Sequence, residues 1–522
     1  MIILGIGGIQ GDAAAALLKD GELAAAVEES KLARQSHHGN GLPEHAIATC
    51  LQLAGAKPEQ VDAVAVVRPL PDEGFHLQLR AQFPNSRIVV LEHHLAHAAS
   101  AYFPSPFDDA VVLTLDRAGD FRCGSRWRGC GTEMMLEQEQ YSPDSLGDLY
   151  GRVTELLGFV PGAEEHKVQW LSVAGDTRFR DLFLEIIGMT ETGPRFDRSY
   201  FSLERVQHGR FSARFYEKLG LNDGQPVPEE LRQHVAAGIQ KAVEEAVIRM
   251  AGPAAHVCLA GGLGLNALLV SALERRFGAA NVFVQPAAGN AGTAIGAVLE
   301  TWHGTYRQQK RVPMNTLCLG PGFPASEIKR VIENCKLRFR YLLTSDEVIE
   351  TAVGQLSESK ILAWMHGRME FGARALGNRS LLASPLDPYS TENLNAFIKH
   401  REPFRKFAAS VPAELCSEYF EVGANARYLS TVGRVRPEHR ERFAAAILAD
   451  DLIRVHAVDR AENPLYWSLL HAAGKASGLP VLYNTSFNLF GEPLVCTPRD
   501  AVRSFYSSGI DAMIVGHFFL QK

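Results

Sequence analysis

The sequence contains few cysteines, and none of them forms a C-x-x-C pair. Eight cysteines are scattered over 522 residues. This spacing excludes a zinc ribbon and a disulfide framework, because both need paired or regularly spaced cysteines. The cysteines therefore predict buried thiols in a reducing compartment.

The sequence also lacks a strong excess of charge and a long apolar run. Its formal net charge is -6, which gives no broad attraction to DNA or to an anionic membrane. No segment is long and apolar enough to span a bilayer, and the start, MIILGIGGIQGD, has no basic region and no cleavage site of a signal peptide. We therefore expect a cytoplasmic protein with neither a membrane nor a nucleic-acid partner.

The length and composition predict a multidomain globular protein. The hydrophobic share is 46% and the charged share 21%, as in soluble folded chains. At roughly 150 residues per domain, the chain should contain two to four units. The stretch TYRQQKRVPMNTLCLGPGFPASE is polar and basic, then rich in Pro and Gly, which is typical of a boundary. We place it near residue 308, giving domains 1–308 and 309–522.

The N-terminal part contains a weak internal duplication. A strand, a Gly-Asp turn and two further strands occur first around Gly11-Asp12 and again around Gly119-Asp120. Such a repeat predicts an α/β fold of two similar sheets with a cleft between them, as in actin-like ATPases and sugar kinases of the RNase H type. A chance likeness between two β-meanders is the alternative. The C-terminal part predicts a separate mixed α/β unit.

Two histidines and an aspartate predict a metal or phosphate site. His93 and His97 are four residues apart, so on a helix their side chains point from the same face. Asp116 ends the apolar strand AVVLTLD, at the strand end where open α/β sheets bind ligands. The alternative is a solvated helix with two histidines of no special function.

Two glycine-rich turns precede helices and predict a nucleotide cleft. The first contains Gly261, Gly262 and Asn266, and the second contains Asn290 between two glycines. A turn of this kind presents free backbone N–H groups to an anion. Glycine at such junctions also serves turn geometry alone, so the signal is weak.

Arginines and glycines alternate in the C-terminal part. Arg368, Arg374 and Arg379 lie within twelve residues and are followed by Lys399-His400-Arg401 and Arg405. Guanidinium groups bind phosphate oxygens in a bidentate way. Nearby apolar residues favour a lined pocket over a solvated basic face, and polar side chains of LYNTSFN could add contacts: Asn484, Ser486 and Asn488.

Several long segments together resemble one family. HHLAHAASAYF, GRMEFGARALGNRSLLASP, IKHREPFRKFAASV and NTSFNLFGEPLVCTP occur in the order found in the O-carbamoyltransferases, which include nodulation proteins and antibiotic-tailoring enzymes of the tobramycin-carbamoyltransferase type. The resemblance implies an actin-like N-terminal domain, similar to the tRNA threonylcarbamoyl transferase, and a YrdC-like C-terminal domain. Lys399-x-Arg401 and Ser486-x-Asn488 match the YrdC-type signature.

The resemblance also implies a reaction and a set of residues. The C-terminal domain would make carbamoyl adenylate from carbamoyl phosphate and ATP with Mg²⁺, and the N-terminal domain would pass the carbamoyl group to a hydroxyl of a small metabolite, often a sugar or polyketide. His93, His97 and Asp116 would hold a divalent cation, Fe²⁺ by analogy, with Asn290 as fourth ligand, and His93, Asp12 and Asp116 would be catalytic. The residues that would bind the co-substrates are Arg374, Lys399, Arg401, Arg405, Arg454, Asn484, Ser486, Asn488, Gly261, Gly262 and Asn266.

The chain departs from this family pattern at three places in the acceptor domain. The family's fourth metal ligand is an aspartate, and here it is Asn290. Family members commonly have a histidine at the position of Gly11, so Asp12 or His37 becomes the candidate acceptor base. The segment EEHKVQWLSVAGD has Trp170 where relatives have a small residue.

Two other functions fit the same motifs. One is threonylcarbamoyl modification of tRNA, against which the acidic net charge and the lack of a basic arm argue. The other is a nucleotide-binding regulatory protein whose acceptor site has decayed, suggested by Asn290 and Gly11. Hydrogenase-maturation carbamoyl transfer would bring Cys-rich zinc motifs that this chain lacks. No motif reports the acceptor's identity or the oligomeric state, although a homodimer would be unsurprising.

Overall fold

The fold was analysed in a computed structural model of the chain. The structure describes residues 1–9, 11–35, 41–70, 74–202, 204–205, 208–311 and 313–522. His37, a candidate acceptor base, lies outside the described residues. Among the helices of the described ranges, none combines the length and apolar character needed to cross a bilayer.

The first 102 residues form a five-stranded sheet with helices. The strands lie in the order β3-β2-β1-β4-β5, and β1 is antiparallel to β2 but parallel to β4. The elements are β1 (Ile2–Gly7), β2 (Ala14–Lys19), β3 (Glu22–Glu28), α1 (Glu29–Ala33), α2 (Glu44–Ala54), β4 (Ala63–Val67), α3 (Phe75–Gln82), β5 (Arg87–Leu91) and α4 (His93–Tyr102).

A second sheet follows, with more helices between its strands. Its elements, together with a separate short hairpin of β9 and β10, are β6 (Asp109–Gly119), β7 (Arg122–Cys130), β8 (Glu133–Tyr141), α5 (Leu146–Leu156), α6 (Glu165–Leu171), α7 (Arg180–Ile187), β9 (Met189–Thr190), β10 (Gly193–Pro194), α8 (Ala213–Lys218), α9 (Glu229–Ala251), β11 (Val257–Ala260), α10 (Ala267–Phe277), β12 (Val282–Val284) and α11 (Thr293–Glu300).

The two sheets share one topology. The second sheet has the order β12-β11-β6-β7-β8, and β6 is antiparallel to β7 but parallel to β11. Strand order and direction therefore repeat those of the first sheet, with β6 in the place of β1. The predicted duplicated, actin-like N-terminal fold is confirmed, and the alternative of two unrelated meanders is wrong.

Helices α4 and α11 pack closely between the two sheets. A Cβ on Gly296 of α11 would lie 1.7 Å from the backbone oxygen of Ala96 in α4, so only glycine permits this approach. Both helices are rich in alanine, and Ala96, Ala99 and Ala294 are fully buried. This packing sets α4, which carries the histidine pair, against the strands of both halves.

The C-terminal part contains a ten-stranded mixed sheet, as the predicted mixed α/β unit requires. The strand order is β13-β22-β21-β14-β15-β20-β16-β19-β18-β17. The elements are α12 (Ala325–Asn334), β13 (Arg340–Tyr341), α13 (Ser345–Ser357), β14 (Leu362–Met365), β15 (Arg379–Ala383), α14 (Pro388–Asn393), β16 (Ala408–Pro412), α15 (Cys416–Tyr419), β17 (Phe420–Glu421), β18 (Val432–Val435), β19 (Leu452–Val458), α16 (Pro464–Ser477), β20 (Leu482–Ser486), α17 (Pro498–Tyr506), β21 (Ala512–Val515) and β22 (Phe518–Gln521).

The segment expected to form the domain boundary packs against the N-terminal core. Met314, Leu317 and Leu319 belong to the same buried cluster as Ala294 and Val298 of α11. The boundary near residue 308 stays a prediction, but the two parts of the chain are in extensive contact.

Candidate functional site

Three predicted metal ligands converge at the N-terminus of α4. The Nε2 atoms of His93 and His97 lie 3.2 and 3.1 Å from Oδ2 of Asp116. One ligand atom from each residue fits within 4.8 Å of the other two. Asp116 occupies an irregularity in the pairing of β6 with β7, between Leu115 and Gly119. A bulge of this kind re-aims side chains beside a functional site, and here it accompanies a carboxylate directed at the histidines.

Burial favours the neutral forms of His94 and His97. Burial lowers the pKa of His97, although Asp116 accepts a hydrogen bond from it, and burial lowers the pKa of the adjacent His94 to about 3. Burial opposes the charge of Asp116, but hydrogen bonds from His93 and His97 outweigh this and hold its pKa well below the usual range. Neutral imidazoles beside an ionised carboxylate are the forms that bind a divalent cation.

The loop after β6 supports His93 closely. A Cβ on Gly119 would lie 2.1 Å from Cδ2 of His93, so the ring packs directly on the backbone. Oδ2 of Asp120 accepts a hydrogen bond from the backbone N–H of His93 at 3.3 Å and lies 3.4 Å from Nε of Arg68. Both residues of the repeated Gly119-Asp120 turn thus position the first histidine.

Two of the three departures from the family pattern, Gly11 and Asn290, lie next to each other. Asn290 precedes α11, and its buried Oδ1 has no hydrogen-bond partner among the residues that the structure describes. A Cβ on Gly11 would lie 3.9 Å from Nδ2 of Asn290 and would meet nothing nearer. Asp12, in the same turn, is exposed and has a φ of 62°. A histidine at position 11 would therefore project beside Asn290.

The predicted glycine-rich turn contacts Asp116 directly. A Cβ on Gly262 would lie 3.1 Å from Oδ1 of Asp116, and Gly261 packs against the backbone of Leu115 with a φ of +89°. The side chain of Asn266 instead caps α10, accepting hydrogen bonds from the N–H groups of Leu268 and Leu269 at 3.1 and 3.0 Å. The two glycines thus adjoin the site, whereas Asn266 has a structural role in this conformation.

Five predicted cations gather in the C-terminal part. Lys399 is buried, and the four arginines are half-buried. In the described parts of the chain they make a single ion pair, between Arg405 and Glu402 at 3.8 Å. We call the group the cation cluster: Arg374, Lys399, Arg401, Arg405 and Arg454.

The cation cluster is electrostatically unfavourable without an anion. Burial, and then the charge of Arg405, lowers the pKa of Arg374 to about 10 and that of Arg401 to about 9. Burial and neighbouring guanidinium groups hold the pKa values of Lys399 and Arg454 well below their ordinary values. Uncompensated charges of one sign are costly to bury. A bound anion such as a phosphate group would offset this concentration of positive charge.

Two side chains of the site lie on strands that flank the same position of the C-terminal sheet. Arg454 of β19 and Asn484 of β20 are both register partners of Ala408, so their side chains lie on the same face of the sheet. The buried Nε of Arg454 and Oδ1 of Asn484 have no hydrogen-bond partners within the described ranges. These atoms remain available to a ligand.

The Lys-x-Arg and Ser-x-Asn motifs contact each other at the C-terminal end of β20. Nζ of Lys399 donates to the backbone oxygen of Ser486 and to Oδ1 of Asn488 at 2.7 Å, and Arg401 donates to Oγ1 of Thr485 at 3.2 Å. Oγ of Ser486 in turn donates to Oδ1 of Asn488 at 2.7 Å. The structure thus brings both halves of the predicted signature together.

Two arginines that the sequence suggested for the pocket lie elsewhere. Arg379 is fully buried and donates to the backbone oxygens of His366 and Pro321 at 2.6 and 3.1 Å. Arg368 donates to the backbone oxygens of Gly320 and Ala24, both at 2.9 Å. Their guanidinium groups satisfy buried carbonyls, so only Arg374 of this trio reaches the cation cluster.

Helix α6 forms one wall of the cluster, which the sequence did not predict. The guanidinium of Arg454 lies 5.3 Å from the ring centroid of Trp170. Nζ of Lys167 lies 2.5 Å from Glu402, and Arg374 donates to the backbone oxygen of Leu265 at 3.1 Å. The cluster is therefore built at the contact between the two parts of the chain, near the turn that touches Asp116.

Comparison with known proteins agrees with this architecture. The family model described as Carbamoyltransferase N-terminus matches residues 75–299, and the one described as Carbamoyltransferase C-terminus matches residues 353–522. An uncharacterized protein of Synechocystis, sll1178, is 32% identical over 100% of this chain and 96% of its own length. Nodulation protein NolNO of Sinorhizobium fredii is 31% identical over 98% of this chain and 79% of its own.

A similarity of shorter extent is found with a protein named as an O-carbamoyltransferase. The 3'-hydroxymethylcephem-O-carbamoyltransferase of Amycolatopsis lactamdurans is 31% identical over 51% of this chain and 48% of its own length. The likeness to a nodulation protein over 98% of this chain, together with matches to both family models, is decisive: the chain belongs to the carbamoyltransferase family.

Proposed function

We propose that the protein is an ATP-dependent O-carbamoyltransferase that works through carbamoyl adenylate. The observation that carries the proposal is the cation cluster, in which five positive side chains have one carboxylate within ion-pairing distance in the described chain. Carbamoyl phosphate and ATP together supply the negative charge that such a site needs.

The adenylation half-reaction balances with these two co-substrates and water. Water releases phosphate from carbamoyl phosphate and leaves carbamate. A carbamate oxygen then bonds to the α-phosphorus of ATP while the bond to the β-phosphate breaks, and pyrophosphate leaves with Mg²⁺. The arginines and Lys399 neutralise the leaving phosphates, because preorganised donors in a buried site stabilise charge more strongly than water does.

Transfer would take place at the histidine cluster. The acceptor hydroxyl attacks the carbamoyl carbon, AMP leaves, and the hydroxyl proton must go to a base. Asp12 is exposed in the turn beside Asn290, so we assign it the role of accepting this proton. The acceptor is proposed to be a small hydroxylated metabolite, as the printed name of the cephem enzyme describes for that relative.

The residues at the histidine cluster fit a divalent cation. Two imidazoles and one carboxylate converge within 4.8 Å, and the unpartnered, buried Oδ1 of Asn290 adds a further oxygen. Two histidines with one carboxylate form a donor set that suits Fe²⁺, which we propose as the metal. A bound divalent cation would supply Lewis acidity toward the carbamoyl carbonyl.

An isotope-exchange assay tests the proposed function. The protein is incubated with ATP, Mg²⁺ and labelled pyrophosphate, with and without carbamoyl phosphate. We expect label to enter ATP only when carbamoyl phosphate is present, and the absence of this exchange would overturn the proposal. Exchange supported by threonine and bicarbonate would instead favour tRNA modification. Exchange without transfer to any hydroxyl compound and without bound metal would indicate a decayed acceptor site.

A further inference from the structure

Helix α6 directs two side chains at the cation cluster from the N-terminal part of the chain. His166 and Trp170 are four residues apart and thus lie on one face of the helix. Trp170 is 5% exposed, and its ring carries the guanidinium of Arg454 at 5.3 Å. The mechanism proposed above uses neither residue.

The contact with Trp170 limits the positions of the Arg454 guanidinium but does not occupy its N–H hydrogen-bond donors. A guanidinium held over an aromatic face keeps its N–H groups free in the plane of the group. The Nε of Arg454 is buried and has no hydrogen-bond partner in the described chain. The contact therefore points an unsatisfied cation into the cluster rather than neutralising it.

His166 lies near cations that disfavour the protonated form of its imidazole. Burial and then the charges of Arg405, Arg374 and Lys167 lower its pKa to about 3. Its buried Nε2 has no hydrogen-bond partner among the described residues. A neutral imidazole can donate one N–H to an anion without adding to the positive charge, which is what an already crowded cation cluster requires.

An interdomain ion pair holds α6 in this place. Lys167, between the two side chains in sequence, pairs with Glu402 at 2.5 Å, which links α6 to the loop that carries Arg401 and Arg405. A separate contact between the two parts of the chain, from Arg374 to the backbone oxygen of Leu265 at 3.1 Å, lies at the same cluster. The wall formed by α6 is therefore fixed relative to the cations.

We propose that α6 completes the phosphate-binding site of the C-terminal part, with His166 as a direct phosphate ligand and Trp170 as a positioning residue for Arg454. This inference rests on the proposed function. It makes adenylate formation a property of both parts of the chain. Trp170 stands where the family segment has a small residue, so this wall distinguishes the chain from that pattern.

Matched substitutions in the whole chain distinguish a direct contact with phosphate from a purely structural role of His166 and Trp170. His166→Ala removes the donor and His166→Asn retains one. Trp170→Leu keeps an apolar side chain without an aromatic face, and Trp170→Phe keeps the face. His471→Ala is the control, because His471 is partly exposed on α16 and pairs with Glu414 at 2.8 Å, outside the cluster.

The readout is carbamoyl-phosphate-dependent pyrophosphate exchange, with KM determined separately for ATP and for carbamoyl phosphate. We expect His166→Ala to raise one of these KM values by about 5- to 50-fold, as for a lost hydrogen bond to a charged group, and His166→Asn to recover part of it. Trp170→Leu should raise KM about 3- to 10-fold, Trp170→Phe should recover part of this loss because it keeps an aromatic face, and His471→Ala should match the wild type. Unchanged KM values in His166→Ala and Trp170→Leu would overturn the inference.

A binding measurement keeps this test distinct from that of the proposed function. Inorganic pyrophosphate is titrated calorimetrically into the wild type, His166→Ala and His471→Ala. Weaker binding in His166→Ala alone supports the site even if the wild type shows no exchange, in which case only the proposed reaction fails. Equal binding by all three proteins rejects His166 as a phosphate ligand.

Discussion

Nε2 of His97 lies 3.1 Å from Oδ2 of Asp116, so the buried face of α4 and the irregular part of β6 meet in one contact. His93 reaches the same oxygen at 3.2 Å. The contact joins an element between the sheets to the second sheet, and it places the candidate metal site inside the duplicated fold rather than on a loop. Its removal should therefore affect transfer and leave adenylation intact.

Asp116→Asn tests this separation. The substitution preserves shape but removes the charge that a divalent cation needs, so we expect bound metal to fall at least tenfold and carbamoyl transfer to be lost. Carbamoyl-phosphate-dependent exchange should stay within about twofold of the wild type. Metal content is measured by elemental analysis, and His45→Ala serves as a control for a histidine that pairs with Glu29 away from the cluster. Full metal content in Asp116→Asn would contradict the assignment.

Asn290→Asp should strengthen metal binding. The side chain of Asn290 interacts with that of His97. Oδ1 of Asn290 would become a carboxylate oxygen, and the added negative charge favours a bound cation by about 10- to 100-fold. Competition against a chromogenic chelator measures the change. Asn290→Leu, which has no oxygen, is the matched comparison and should weaken binding. Equal affinity in all three proteins would show that position 290 is not a ligand.

Gly119→Ala should displace His93. The new methyl group would lie 2.1 Å from Cδ2 of the imidazole, which is far inside van der Waals contact. We expect a loss of about 1–3 kcal/mol in unfolding free energy and a loss of bound metal. Gly354→Ala is the control, since a Cβ there meets nothing within 4 Å and the residue lies in α13. That variant should be as stable as the wild type or more stable, by denaturant unfolding.

Arg454→Met should separate stability from activity. It removes a charge whose Nε has no partner in the described chain, so the free protein should gain about 1–3 kcal/mol of stability. Exchange should fall by at least about 100-fold, because the phosphates lose a buried cation. Thermal unfolding with and without pyrophosphate is the measurement. A less stable variant whose melting temperature still rises normally with pyrophosphate would argue against an anion site.

Glu300 should make stability depend on pH. Burial raises its pKa from 4.5 to about 7, so the folded state binds this proton more tightly than the unfolded chain. The resulting stabilisation is complete below about pH 4.5 and is lost as pH rises through 7. Between pH 4.5 and pH 8, wild-type stability should therefore fall by about 1–3 kcal/mol relative to Glu300→Gln. Urea unfolding of both proteins across this range is the test, and parallel curves would contradict it.

Local patterns in the sequence predicted much of the fold and part of the site. The repeated strands around Gly11-Asp12 and Gly119-Asp120 predicted two like sheets, and helical spacing brought His93 and His97 to one face. These features depend on residues close in the chain. The same local reasoning failed for Arg368 and Arg379, which share the glycine-rich segment with Arg374 but bind buried carbonyls. Spacing in an irregular segment does not determine where each side chain points.

The sequence by itself determined the duplicated sheets and the histidine pair, because hydrophobic periodicity and short spacings act within single elements. The two halves of the Lys-x-Arg and Ser-x-Asn signature were identified by the resemblance to the family. Only the tertiary structure decided that Asn290 lies beside Gly11, and that Trp170 packs on Arg454. The latter pair is separated by more than half the chain. Such contacts arise from the packing of whole elements against one another, which no local pattern encodes.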